Sequence, residues 1–261
     1  MPLMIAGFEK ISLRESGCLW CGFIRPQTTG ITAVCRNLDS PEARLFHDSA
    51  KIKAGSVDDF FVKRYNLPGI LVQIRRFFKP ARPLVVLRGA AHLESLSIPT
   101  PRVLGALTAW RGVCRREYLV TAMLGANDQL GNDLLLQTSA AEVWQVIQQK
   151  IIPMLVKLHD SGALHGDLNL RNIYIDSSGS AGLIDLDGMK IGSKSLSAAE
   201  RAGEIGRLVS GYMIYTGQRQ DFSGYVAQAL EVYGSLTAAL PDEEETRSVT
   251  EKFIRRAEKY L

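Results

Sequence analysis

The chain has 261 residues, 46% of them hydrophobic and 22% charged, with a formal net charge of +4. That composition supports a sizeable buried core and excludes a disordered polymer, and no run approaches the ~18 apolar residues that a membrane-spanning helix needs. The mild basic excess favours anionic partners such as nucleotide, phosphorylated glycan or acidic lipid without choosing among them, and an ordinary solvated surface accounts for it equally well.

Residues 1–10 carry no basic leader and hold Glu9 beside a short apolar stretch, so they do not read as a signal peptide; the expected location is the cytoplasm. Cys18 and Cys21 form a C-x-x-C, but there is neither a second close pair for zinc nor a thioredoxin-like context. The four thiols therefore read as reduced packing residues in a strand region. Short apolar runs at 19–24, 31–35, 59–65 and 84–87 are predicted strands or short elements. The clearest is 59–65, aromatic and β-branched, which stops before Pro68-Gly69.

No acidic residue stands between Asp59 and Glu94, while Lys63, Arg64, Arg75, Arg76, Lys79, Arg82 and Arg88 supply cations. Ile70, Leu71, Ile74, Phe77 and Phe78 fall at helical spacing within this stretch, and Pro80 and Pro83 are expected to end the helix. Such a helix either lies on an anionic membrane surface or packs its apolar side on the protein. The run 118–124 reads as a strand leading into a connector at Gly125.

Beyond it the character is helical. Ser139 and Glu142 make a capping box, and Val143, Ile147, Ile151, Met154, Leu155 and Leu158 follow at steps of three and four. Pro153 should kink or split this helix, and Gly162 sits where a C-terminal cap belongs. A second capping box, Ser197 with Glu200, opens another helix. Pro241 precedes the last one, acidic at its start and ending with Arg255, Arg256 and Lys259, as the helix dipole favours. The expectation is an α+β chain: a β-rich N-lobe over 1–120, a hinge at 121–128 and a mainly helical C-lobe over 129–261, two lobes sharing a cleft.

The chemistry is concentrated in His165-Gly166-Asp167-Leu168-Asn169-Leu170-Arg171-Asn172, followed by a short strand, a turn at 176–179, a second strand and Asp185. Phosphoryl transfer needs an in-line nucleophile and charge neutralisation. Asp167 can orient an acceptor hydroxyl and accept its proton. The Asn172 amide oxygen and the Asp185 carboxylate are hard ligands of the kind magnesium takes while keeping its other positions for water. The order and spacing are those of the protein-kinase-like template H-x-D-x-x-x-x-N with a metal-binding Asp after a hairpin. Lys63, on a strand about a hundred residues upstream, matches the lysine that contacts the α- and β-phosphates of ATP. Glu94, the only acid in the following stretch, is the candidate partner of that lysine. Thr121 and Met123, in and beside the connector, are candidate nucleotide contacts. No G-x-G-x-x-G is present, so the phosphates must be held mostly by Lys63, magnesium and the backbone amides that the first hairpin offers. Asp128 could reach the nucleotide ribose or cap a helix, and His165 is expected to bond backbone and shape the loop. Arg171 could bind an anionic acceptor or stand in solvent.

Taken together, these segments resemble the bacterial lipopolysaccharide kinase family, the heptose and Kdo kinases of the lipopolysaccharide core. Phe61-Val62-Lys63-Arg64-Tyr65-Asn66 is similar to the family's strand-lysine segment. The basic stretch 75–82, Ser97-Ile98-Pro99-Thr100-Pro101 and Glu117-Tyr118-Leu119-Val120-Thr121 follow in the family's order, and 165–172 and 183–187 complete it. The resemblance implies ATP- and magnesium-dependent phosphorylation of a core sugar hydroxyl at the cytoplasmic face of the inner membrane, with Lys63, Asp167, Asn172 and Asp185 as functional positions. It implies ATP and a core glycan or other small anionic acceptor as partners, with contact to an anionic membrane and no nucleic acid. Gly166 and Asn169 stand where protein-serine kinases place Arg and Lys, which favours a glycan or small molecule over a protein acceptor. A small-molecule kinase of the aminoglycoside or choline type, and a nucleotide-binding scaffold without catalysis, are the alternatives.

Overall fold

The computed structural model describes residues 5–28, 30–67, 69–77, 79–218 and 222–258; Met1–Met4, Pro68, Phe78 and Lys259 of the expectations above lie outside them. The chain divides into two compact units, Met1–Ala91 with Pro101–Leu124, and His92–Thr100 with Gly125–Leu261. The architecture is the expected α+β, with the sheet in the N-terminal part and most helices after it.

The first unit is built on one antiparallel seven-stranded sheet. Its strands are β1 (Glu9–Glu15), β2 (Cys18–Ile24), β3 (Arg44–Asp48), β4 (Ile52–Val57), β5 (Phe60–Asn66), β6 (Val103–Arg111) and β7 (Cys114–Ala122), in the order β1-β2-β6-β7-β5-β4-β3. The first hairpin turns through Ser16 and Gly17, both at positive φ, with Glu15 opposite Cys18. That is the two-residue geometry whose twist matches flanking strands.

Strand alternation sorts the two faces. Val62, Tyr118 and Val120 point into a core that also holds Trp20 and Leu107. Lys63, paired with Leu119, lies on the opposite face together with Phe61, Tyr65 and Thr121.

Two of the predicted strands or short elements are helical. Residues 31–35 open α1 (Ile31–Asn37), preceded by Gly30 in the left-handed region. Ile31, Cys35 and Leu38, spaced four and three apart, are fully buried against the sheet, and that helical stripe overrode the β-branched composition. Cys35 is thus a buried helical thiol, not a strand one, and burial pushes it up and out of reach of reactive chemistry. Residues 84–87 belong to α3 (Arg82–Ser95). Pro83 sits in its first turn, where a missing N–H costs nothing, so this proline helps to open a helix rather than close one. Val86, Leu87, Ala90 and Leu93 form its buried stripe. Before it, α2 (Ile70–Phe77) carries the basic stretch.

The second unit contains β8 (Gln129–Leu130), α4 (Gly131–Gln137), α5 (Ala140–Val146), α6 (Ile152–Asp160), β9 (Ala163–Leu164), β10 (Ile173–Ile175), β11 (Ala181–Leu183), β12 (Lys190–Ile191), α7 (Ala198–Thr216), α8 (Phe222–Leu236) and α9 (Glu243–Glu258). Both capping boxes form, Ser139 with Glu142 and Ser197 with Glu200. Pro153 interrupts the α-helical ladder as expected and stands in the first turn of α6. One wide turn at Ile147–Ile151 joins α5 to α6 and absorbs the missing donor. Gly162, at φ 80, closes α6. Asp242 caps α9 by accepting from the Glu245 N–H at 2.7 Å.

Candidate active site

The hairpin β10–β11 is formed by its turn. Asp176 Oδ1 accepts from the backbone N–H groups of Ser178 and Ser180 at 2.9 and 2.8 Å, and Gly179 takes φ 84. The Ser178 hydroxyl, which donates to the same oxygen at 2.6 Å, together with these backbone bonds holds the Asp176 carboxyl below its ordinary pKa. The hairpin returns the chain beside the loop that preceded it: the Ile184 N–H donates to the Asn172 carbonyl at 2.9 Å. Asp185 follows at φ 57 and ψ 57, exposed to solvent. A left-handed non-glycine residue persists only where its surroundings fix it, and such positions cluster at functional sites. The Leu183 N–H is held at 2.9 Å by the carbonyl of Pro99, inside the Ser97–Pro101 turn.

The loop itself is locked at both ends. Leu164 and Ala163 of β9 pair with Lys190 and Ile191 of β12. Buried His165 reaches the Ile184 carbonyl from Nε2 at 2.9 Å, while its Nδ1 faces the Asp167 N–H at 3.4 Å. A carbonyl only accepts and an amide N–H only donates, so the ring is the neutral Nε2–H tautomer. The Asp167 carbonyl takes two side-chain amides, Asn169 Nδ2 at 3.0 Å and Asn172 Nδ2 at 2.9 Å. The Asp167 side chain is left 65% exposed, with Arg207 Nη1 3.5 Å from Oδ1. Arg207 also donates to the Gly166 carbonyl at 2.9 Å.

Gly166 has φ +83, and a Cβ there would lie 2.1 Å from the Gly188 carbonyl oxygen. A Gly166→Ala variant is expected to lose about 1–3 kcal/mol of stability, read as a lower Tm with reduced turnover. An unchanged Tm would show that this contact relaxes freely.

Glu204 of α7 is the residue beneath the loop. Its Oε1 accepts from the Gly166 N–H at 2.6 Å and its Oε2 from the His165 N–H at 3.1 Å; Oε2 also faces His159 Nε2 at 3.1 Å. Burial pushes the Glu204 carboxyl up, but the His159 hydrogen bond and charge and the two backbone N–H groups outweigh it, and the net direction is down. Fully buried His159 meets the Tyr233 hydroxyl from Nδ1 at 2.9 Å. That hydroxyl accepts from Arg201 at 2.7 Å, which in turn pairs with Asp160 at 2.9 Å. The 165–172 loop is in this way tied into α6, α7 and α8.

Asp167, Asn172 and Asp185 are therefore brought together on one interlocked loop and hairpin within the second unit. Lys63 stands on β5 and Thr121 on β7 in the first unit, two registers apart on one sheet face, with Lys63 Nζ 5.4 Å from the Tyr65 ring. Met123, just past β7, is 41% exposed. Glu94 falls in the last turn of α3, among the residues grouped with the second unit. Asp128 is not a helix cap, because α4 begins after Leu130. Its carboxylate instead accepts from the Gly125 N–H at 2.7 Å and the Ser177 N–H at 3.0 Å, which fastens the segment after β7 to the hairpin turn.

Among the described residues no group of three or more His, Cys, Asp or Glu forms a metal cage. The donor set at the loop suits magnesium all the same. The Asn172 amide is oriented by its Nδ2 bond so that Oδ1 is the atom offered on the other side, and the exposed Asp185 adds a second hard oxygen. Magnesium commonly takes one or two protein ligands and completes its shell with water and phosphate.

Sequence reasoning did not find Glu204 or Arg207. Glu204 has one sequence signal: an acid among buried Ala202, Ile205 and Leu208 on α7 needs partners.

Residues 86–208 match the lipopolysaccharide kinase (Kdo/WaaP) family. No curated protein matches the chain. Among solved structures, a medium-resolution structure of the bifunctional kinase-methyltransferase WbdD is similar at 18% identity and a TM-score of 0.45, covering 81% of this chain and 48% of that one. The chain thus spans about half the length of that structure. The matched residues 86–208 contain the loop at 165–172 and the hairpin to Asp185, and over them the chain is similar to the lipopolysaccharide kinase (Kdo/WaaP) family, a family of kinases.

Proposed function

We propose that the chain transfers the γ-phosphoryl group of ATP, with magnesium, to a sugar hydroxyl of the lipopolysaccharide core, on heptose or Kdo. The observation that carries this reading is the single interlocked loop and hairpin that presents Asp167, Asn172 and Asp185 inside the family-matched stretch. Asp167 orients the acceptor hydroxyl and takes its proton as the new O–P bond forms and the bond to the β-phosphate oxygen breaks, releasing ADP. Asn172 Oδ1 and the Asp185 carboxylate are the magnesium ligands; the ion, when bound, neutralises phosphate charge. Lys63 contacts the α- and β-phosphates, Glu94 is its partner, and Thr121 and Met123 line the nucleotide. In this reading 121–128 is a hinge between an N-lobe of 1–120 and a C-lobe of 129–261, and the protein works at the cytoplasmic face of the membrane that carries the acceptor.

An acceptor panel tests the substrate class. Purified protein with magnesium and ATP is offered dephosphorylated lipopolysaccharide core, an aminoglycoside and choline, and ATP consumption is followed. The proposal expects turnover dependent on the core. Turnover on the aminoglycoside or choline alone would move the assignment to the small-molecule kinases, and none on any acceptor would point to a scaffold.

A further inference from the structure

The described side chains of the amphipathic helix α2 are disposed the reverse of an ordinary surface helix, which turns apolar side chains inward and polar ones to water. Gln73 and Arg76, one turn apart, face the sheet. Gln73 Oε1 accepts from the Arg115 N–H at 3.2 Å, and the Arg76 guanidinium lies 3.6 Å from the fully buried Glu117 carboxylate. Arg115 Nη1 donates back to the Arg76 carbonyl at 3.4 Å. Leu71, Val72 and Ile74 are left 71%, 40% and 54% exposed. Arg75 and Lys79 are exposed beside them. Rolling the helix to bury its apolar side would break the Gln73 and Arg76 contacts, so the outward apolar face is built in.

We propose that this face docks on an anionic phospholipid surface. Its charge is complementary, since no acid occurs between residues 60 and 93. A second copy of the chain fits poorly, because a symmetric contact would set Arg75 and Lys79 against themselves. The eight residues of α2 also present far less than the roughly 800 Å² per partner of a stable interface. A bilayer interface accepts a short apolar ridge flanked by cations: the ridge enters the acyl boundary and the cations stay among the headgroups. Among the described residues no helix is long and apolar enough to cross a membrane, so the contact is peripheral. The inference deepens the membrane placement in the proposed function.

The test is co-sedimentation of the full chain, without nucleotide, with vesicles of phosphatidylcholine alone or of phosphatidylcholine and phosphatidylglycerol in equal parts. Binding is expected to the anionic vesicles and to fall at least about tenfold in Arg75→Glu/Lys79→Glu. It should fall comparably in Leu71→Ser/Ile74→Ser, whose exposed positions leave the fold intact by circular dichroism. Absence of binding would overturn the proposal. So would binding that survives the serine variant, or a serine variant whose only change is loss of a dimer or of an acidic protein partner. Because sedimentation needs no ATP or acceptor, its failure is distinguishable from failure of the phosphotransfer reading.

Discussion

Replacing Asp167 with Asn is expected to lower kcat by about 10²–10⁴-fold while leaving the KM for ATP nearly unchanged. The substitution is isosteric, and the bonds that shape the loop are made to the Asp167 backbone carbonyl, not to its carboxylate. Among the described residues the 65% exposed side chain pairs with Arg207, at 3.5 Å. An exposed pair of that kind contributes little to stability, so the melting temperature should hold within a degree or so of wild type. Steady-state kinetics and a thermal melt on the same preparation separate lost chemistry from lost fold. A variant with unchanged kcat would remove Asp167 from the reaction.

Glu204→Ala is expected to give the largest structural effect of any single change near the site. It removes the acceptor of two backbone N–H groups of the 165–172 loop and the partner of buried His159. Stranding buried donors in this way costs about 3–5 kcal/mol, which for a chain of this size lowers Tm on the order of 10 °C. Glu204→Gln keeps a carbonyl acceptor and should be milder in Tm, yet still reduce turnover, because one amide cannot accept from all three donors. The folded-state pKa of Glu204 lies below its unfolded value. Its contribution is therefore fully present above the ordinary glutamate pKa and is lost as pH falls through the lower folded value. Stability should drop in acid, and the drop should be shallower in Glu204→Gln. A Glu204→Ala protein as stable and active as wild type would mean the loop holds its shape without α7.

The features legible in the sequence were local. The loop spacing from Asp167 to Asn172, the Asp176 turn and both capping boxes are set within a few residues, and each could be read directly. The α+β organisation followed from the change of periodicity after Gly125. The misreadings came where a short window is ambiguous. Five apolar residues at 31–35 fit a strand until Leu38 completes the buried stripe of a helix. A proline such as Pro83 marks a helix end or a helix start according to the residues on its C-terminal side. The supports of the loop were out of reach because they are distant in sequence: Glu204 is 38 positions from Gly166, and Arg207 is 41. The orientation of α2 was equally hidden, since Gln73 and Arg76 are pinned by Arg115 and Glu117, about forty residues on.

The measurement that bears most directly on the central claim is the mass of dephosphorylated lipopolysaccharide core after incubation with the protein, magnesium and ATP. The account predicts the gain of one phosphoryl group with the wild-type chain, lost when magnesium is chelated and lost in Asp167→Asn. Core that gains phosphate equally well from the Asp167→Asn protein, or never gains it while ATP is still bound, would contradict it.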